Sequence, residues 1–269
     1  MIALIGASGR SGAALARALR QPFRAVVRDA AKWGALGISA EMRVADLADA
    51  ADLRAALTGA SLVVSCAHAR HAPALLAATE APLVLMGSTR RYSRWPDAHG
   101  DGVQLGEAAL MAAGRPGMIL HPTMIYGAQG EDNVQRLAGL MRHLPVLPLP
   151  GGGRSLVQPI HQDDVTRCLL AAIELSHDIP RAITIAGPDA LAYRDFCGAI
   201  ARAAGLRPRP VVPVPSGVLM ALAPLARPRI AAEEVRRLTE DKAFDIGPMR
   251  ETLGVAPMPL AEGLRLTFA

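Results

Sequence analysis

The first twelve residues, Met1-Ile2-Ala3-Leu4-Ile5-Gly6-Ala7-Ser8-Gly9-Arg10-Ser11-Gly12, constrain this chain more than any other stretch. An apolar run ends in a glycine, two more glycines follow at intervals of three, and an alanine-rich helical pattern runs from Ala13 to Leu19. Strand, tight turn and helix in that order form the local architecture that receives a dinucleotide pyrophosphate. The glycines let backbone approach the phosphates, and a helix start offers amides without intrahelical acceptors at the positive end of its dipole. Gly6, Ser8, Gly9, Arg10, Ser11 and Gly12 are therefore candidate cofactor contacts.

The strand-helix rhythm continues. Short apolar runs recur at Phe23–Arg28, Met42–Val44, Ser61–Ala67, Pro82–Thr89 and Met118–His121, separated by helical patterns such as Asp49–Thr58 and Gln104–Ala113. That alternation predicts an α/β fold, a Rossmann-type doubly wound parallel sheet. Arg90 to Gly102, with Tyr92, Trp95, Pro96, His99 and two glycines, reads as a long irregular loop. After residue 125 the rhythm changes: prolines at 145, 148 and 150 precede Gly151-Gly152-Gly153, and further prolines follow at 208, 210, 213 and 215. The expected organisation is a dinucleotide-binding domain over 1–150 and a small C-terminal substrate lobe over 151–269, with segments returning to the main domain. A chain of 269 residues is long enough for both.

A net charge of +5 comes almost wholly from arginine, Lys32 and Lys242 being the two lysines. Aromatic residues make up 3% and are not interleaved with a basic stripe, which argues against a nucleic-acid surface. The same charge suits an anionic cofactor. Cys66, Cys168 and Cys197 lie far apart and read as buried thiols of a reducing compartment. The first apolar run is already the first strand, so no signal peptide is expected. The late apolar stretch Gly217–Ala226 is too short to span a bilayer and contains Pro224. The expectation is a cytoplasmic protein with a small-molecule substrate, without membrane, nucleic-acid or metal partners.

About twenty residues after the glycine turn, dinucleotide folds usually place an acid on the adenosine ribose. Here the position holds Arg28, followed by Asp29, and Arg10 sits inside the turn. Two guanidiniums suit a 2′-phosphate through charge-assisted contacts, which points to NADP. The alternative is that both arginines are solvated and Asp29 holds the ribose of NAD. Ala67, at the carboxyl end of a buried strand, belongs beside the cofactor, because open α/β sheets bind ligands there.

By Tyr126 the chain resembles the extended and atypical short-chain dehydrogenases/reductases, the NAD(P)-dependent epimerase/dehydratase-like proteins. Four features carry the resemblance: Gly6-x-x-Gly9-x-x-Gly12; His121-Pro122-Thr123-Met124-Ile125-Tyr126-Gly127; Pro159-Ile160-His161-Gln162-Asp163-Asp164-Val165; and Asp241-Lys242-Ala243-Phe244-Asp245 with the Leu253–Pro257 and Glu262–Leu264 segments. It implies that Asp46 and Leu47 lie by the adenine and Pro122 at the nicotinamide end, and that a homodimer is possible. Asp46 also fits a helix cap. His161 fits a cap of the helix running to about Glu174, together with Asp163 and Asp164, or a catalytic role.

The chain also departs from those relatives. They carry Tyr-x-x-x-Lys, in which tyrosine moves a proton and lysine lowers its pKa. No lysine stands between Lys32 and Lys242, so the pair is missing. Ser88 matches the relatives' serine position, and Tyr92 is the nearby tyrosine; both are candidate catalytic residues, with Arg90, Arg91 or Arg94 as charge partners. Hydride transfer without a tyrosine base, water supplying the proton, is a second possibility. Cofactor binding without turnover is a third. The expectation is an NADP(H)-dependent oxidoreductase on a small carbonyl, quinoid or sugar-derived substrate. The alternative is a non-catalytic NADP(H)-binding sensor or accessory protein.

Overall fold

The computed structural model describes residues 1–127, 133–175, 180–222 and 232–269. Its centre is a seven-stranded sheet built from β1 (Ile2–Ile5), β2 (Phe23–Val27), β3 (Glu41–Val44), β4 (Leu62–Ser65), β5 (Leu83–Met86), β6 (Gly117–Pro122) and, after short strands described below, β11 (Pro180–Ile185). The order is β11-β6-β5-β4-β1-β2-β3, parallel throughout. The order reverses between β1 and β4, the switch point where such sheets bind ligands.

Alternation along β1 explains why the sheet needs cover on both faces. Ile2 and Leu4 enter one apolar layer and Ala3 and Ile5 the opposite one. The first layer is closed by α1 (Arg10–Ala18), α7 (Gln162–Glu174) and α11 (Gly247–Leu253). The second is closed by α3 (Ala50–Leu57), α4 (Ala72–Ala78) and α5 (Ala98–Ala113). Two of these six covering helices, α7 and α11, and the edge strand β11 come from the carboxyl-terminal half, which thus returns to the main body.

The stretch read as an irregular loop is mostly helix. A short 3-10 turn spans Thr89–Tyr92, and α5 begins at Ala98, where the Asp97 side chain accepts from Gly100 N at 2.7 Å. Gly100 and Gly102 suggested a loop, but here they, like Gly106 within the expected helix, let α5 pack against its neighbours. A Cβ on Gly106 would stand 2.1 Å from the Ala69 carbonyl oxygen, and one on Gly100 2.9 Å from that of Arg90.

The remaining elements are α2 (Ala30–Gly34), α6 (Asn133–His143), α8 (Tyr193–Ala203), α9 (Ser216–Leu222), α10 (Ala232–Arg237) and α12 (Leu260–Phe268), with short strands β7 (Ile125–Tyr126), β8 (Leu147–Pro150), β9 (Leu156–Val157), β10 (Ile160–His161), β12 (Leu191–Ala192) and β13 (Val211–Val214). The strands pair as β7–β10, β8–β13 and β9–β12. A third apolar cluster, centred on Tyr126, Met141, Leu149, Phe196 and Ile200, holds α6 and α8 against β8. Among the described residues no helix is long and apolar enough to cross a membrane. Residues 223–226 of the apolar stretch noted above lie outside the described residues.

Candidate cofactor and substrate site

The glycine turn has the geometry that its sequence implies. Gly6 leaves β1 with φ +71°, a conformation that suits glycine. Gly9 N donates to Gly6 O at 2.9 Å, closing the turn. A Cβ on Gly12 would lie 2.1 Å from Gly6 O, and one on Gly9 3.1 Å from it, so the start of α1 rests directly on the turn. A Cβ on Gly6 would meet Ala67 N at 3.1 Å, which brings the end of β4 against the same turn.

The start of α1 is capped differently from those of α3, α5 and α7. Asp49, Asp97 and His161 cap α3, α5 and α7 with their side chains. Gly9 caps α1 with none, and the first turn of α1 holds no acidic residue. A bare helix start with glycine on its approach fits a pyrophosphate. The residues present therefore fit a dinucleotide.

Ser11 is the exception in this segment. Its hydroxyl is buried and donates to Gln162 Oε1 at 2.9 Å, tying α1 to α7. Ser8 is half-buried and Arg10 exposed. Arg28, just past β2, is exposed and has no carboxylate partner among the described residues. Asp29 caps α2 by accepting from Lys32 N at 2.9 Å. Asp46 accepts from Ala48 N at 2.9 Å, while the cap of α3 is Asp49, whose carboxyl is held below its ordinary value by the amides of Asp52 and Ala51. Asp46 stays exposed, beside half-buried Leu47.

Past β4 and β5 the chains leave the sheet side by side, following the Ser65–Leu85 register. Ala67 and His68 emerge on one, Gly87 and Ser88 on the other. His68 accepts from Arg70 N through Nδ1 at 3.1 Å, and the His99 ring stands edge-on to it with centroids 4.4 Å apart. Burial and then the Arg90 charge depress His99 to about 4, so it is neutral at pH 7. Arg90 and Arg237 share the carboxylate of Asp97, with Arg237 at 3.2 Å. These groups gather past the carboxyl ends of β4 and β5.

Ser88 and Tyr92 both border a third histidine, His121, and no hydrogen bond joins the two among the described residues. Ser88 Oγ accepts from Arg90 N at 3.2 Å, capping the 3-10 turn. Tyr92 is 49% exposed, with its hydroxyl 3.4 Å from Thr184 Oγ1 and its ring beside Phe244 and His121. The Arg91 guanidinium lies 4.7 Å over the Tyr92 ring, as a cation on its face rather than beside its oxygen. Pro122 is buried on β6, and its carbonyl accepts from Thr89 Oγ1 at 3.2 Å.

His121 is completely buried, 2.9 Å from Glu107 Oε2, and Arg91 Nε is 2.7 Å from the same oxygen. At both contacts the N–H directions miss the oxygen, so the Arg91–Glu107 pair is held by charge rather than by a well-directed hydrogen bond, and the His121 ring packs against the same oxygen. The polar residue ending the otherwise apolar run Met118–Leu120 was its one signal in the sequence. Nothing in the spacing pointed to Glu107.

A strap from the carboxyl-terminal half closes over this corner. Buried Glu240 accepts from Ser93 Oγ at 3.0 and 2.8 Å and from Arg94 N at 2.8 Å. Gln158 Oε1 accepts from Phe244 N at 2.7 Å, and Asp241 Oδ1 from Leu156 N at 2.8 Å. Trp95 lies between the guanidiniums of Arg94 and Arg236 at 5.7 and 5.1 Å. Lys242 donates to the Arg237 carbonyl and so serves the strap.

The two residues of the His161 segment take separate parts. His161 Nδ1 accepts from Asp163 N at 3.2 Å and caps α7, as its sequence position allows. Asp164 is buried and instead binds Arg167 and accepts from Met258 N at 2.8 Å, anchoring the segment before α12.

Residues 6–98 match the family model described as NAD(P)H-binding. Over the whole fold, the chain is similar to an NADPH-dependent quinone oxidoreductase from Escherichia coli solved with NADPH, with a TM-score of 0.79, 19% identity and 100% of both chains covered. It is also similar to a UDP-glucuronic acid 4-epimerase from Bacillus cereus solved with UDP-glucuronic acid and NAD, with a TM-score of 0.76, 17% identity and 99% and 97% covered. In sequence it is 29% identical over 266 residues to the uncharacterized protein Rv2047c of Mycobacterium tuberculosis, covering 97% of this chain. The chain spans 29% of that relative's length.

Proposed function

We infer that this chain, an NAD(P)H-binding domain in the fold of NAD(P)-dependent reductases and epimerases, is an NADP(H)-dependent oxidoreductase acting on a small carbonyl, quinoid or sugar-derived substrate. The observation that carries the reading is the bare start of α1 resting on Gly6, with Gly12 admitting no side chain. When bound, the cofactor supplies or accepts hydride. The chain's own part is to hold its pyrophosphate at Gly6–Gly12 and its adenosine between Arg10, Arg28, Asp46 and Leu47. The exposed guanidinium of Arg28, and Asp29 already engaged as a helix cap, support NADP over NAD. Ala67, Ser88 and Pro122 border the reactive end, with Ser88 orienting a substrate oxygen and solvent water supplying the proton.

Cofactor sensing without turnover is the second reading. The missing Tyr-x-x-x-Lys pair favours it, as does the position of Tyr92, its hydroxyl near Thr184 while the Lys242 ammonium donates to the Arg237 carbonyl. Calorimetry with NADPH, NADP and NADH tests the cofactor assignment. A panel of quinones, aldehydes and nucleotide sugars, followed at the absorbance of the reduced nicotinamide, separates the two readings. Steady oxidation supports the enzyme; tight NADPH binding with no turnover on any acceptor supports the sensor. No heat with any of the three nucleotides overturns both.

A further inference from the structure

The smaller lobe holds a cavity of about 280 Å3 among α6, α8, β8 and β13, away from the glycine turn. Its apolar lining comes from Met141, Leu147 and Val211, and the guanidiniums of Arg194, Arg202 and Arg209 stand around it. Asp195 is the one carboxylate in the lining, 3.8 Å from Arg194 Nε. Three cations against one anion leave the wall with a net positive charge of two. Arg202 and Arg209 have no carboxylate partner among the described residues. Arg209 is nevertheless fixed, its Nε donating to the Met141 carbonyl at 3.0 Å.

Gly198 gives the cavity its depth. Arg194, Gly198 and Arg202 follow at intervals of four along α8 and share one helix face. Glycine inside a helix is a poorer helix former than alanine, so its presence calls for a reason. Close packing is not that reason: a Cβ there would meet only the Arg202 Nη1 end, at 3.4 Å. Open space between two arginines is what the glycine provides. A guanidinium fork matches the oxygens of a phosphate or carboxylate, and an apolar floor suits a hydrocarbon body.

We propose that this cavity binds a small organic oxyanion, a phosphate or carboxylate carried on an apolar body of about one ring, at a site separate from the dinucleotide. The probes are phenyl phosphate, benzoate, inorganic phosphate and neutral benzyl alcohol, titrated into protein labelled at its methionine methyl groups. Met141 lines the cavity, and Met86, at the end of β5, reports the other site. The expected result is a saturable shift of Met141, with Met86 unmoved, by phenyl phosphate or benzoate at a dissociation constant below about 1 mM. Inorganic phosphate and benzyl alcohol bind several-fold more weakly. Gly198→Ala weakens the anion several-fold while the melting temperature holds or rises, which separates lost binding from lost folding. Arg202→Gln with Arg209→Gln abolishes the shift. The proposal is overturned if neither organic anion moves Met141, if benzyl alcohol moves it as strongly, or if the shift survives undiminished in these variants.

Discussion

The amide of Ser88 donates to Nδ1 of His121 at 3.2 Å, and this one bond fixes the charge of a fully buried ring. An Nδ1 that accepts an amide proton cannot also carry one, so His121 is neutral with its proton on Nε2, facing Glu107. Burial first, and then the Arg91 charge, depress it to about 4. The ring fits because residue 87 is glycine: a Cβ there would stand 2.3 Å from Nδ1.

A histidine whose folded pKa lies below its unfolded value stabilises the fold above the unfolded pKa, near 6.5, and loses that contribution as pH falls toward about 4. The protein is therefore expected to melt several degrees lower at pH 5 than at pH 7.5. Replacing the ring by His121→Leu should remove part of that dependence, His99 supplying a further part, read from thermal melts across the pH series. A wild-type melting temperature constant through this range would contradict the neutral assignment.

The glycine turn makes a graded prediction. Gly12→Ala forces a methyl to 2.1 Å from the Gly6 carbonyl oxygen, a backbone atom that cannot turn aside. Overpacking of this kind costs about 1–3 kcal/mol. Gly9→Ala meets the same oxygen at 3.1 Å and should lose less. Denaturant unfolding gives the ranking, and NADPH affinity should fall in the same order.

Cofactor choice turns on guanidinium groups. Arg28→Glu should weaken NADPH about tenfold or more, the size of one charge-assisted contact, and leave NADH unchanged or improved. Parallel calorimetric titrations of the two nucleotides decide it. Equal losses for both would point to a folding effect, and no loss for either would leave the 2′-phosphate assignment without support.

Ser11 separates structure from binding inside the same motif. Its hydroxyl bond to Gln162 at 2.9 Å is buried, so Ser11→Ala should cost about 1 kcal/mol of stability. NADPH affinity should stay as in the wild type, because only the side chain is lost. A large loss of affinity at unchanged stability would mean that the hydroxyl serves the cofactor instead.

Glu240 holds the strap over residues 93–95. Glu240→Ala removes a buried carboxylate that accepts from Ser93 Oγ and Arg94 N, with an expected loss of about 2–3 kcal/mol. The opening should be local: trypsin should cut faster at Arg91 or Arg94 in the native protein. Unchanged cleavage would show that Trp95, held between Arg94 and Arg236, suffices to keep the loop down.

The sheet and the glycine turn were legible because both rest on local chemistry. Apolar runs with period two on each face make buried parallel strands, and Gly6, Gly9 and Gly12 stand three apart on a turn that only close backbone contact explains. The helix over 98–113 was misread at its start because Gly100 and Gly102 carry the same symbol whether they break a helix or let one pack. Only the neighbours, Arg90 O and His68, distinguish the cases. His99 and His68 lie thirty-one residues apart in sequence, and Glu107 and His121 on different elements, so periodicity could not join them.

The chain's own order of residues determined the α/β class, the position of the glycine turn, the missing tyrosine–lysine pair and the cap at His161, since each depends on neighbours within a few positions. The tertiary structure alone decided that Ser11 faces Gln162, that His121 is neutral, that β11 completes the sheet beside β6 and that Glu240 closes the corner over Tyr92 and Trp95. Those outcomes depend on which distant groups are driven together when both faces of the sheet are buried. Burial then fixes the charge and partner of each polar group it traps.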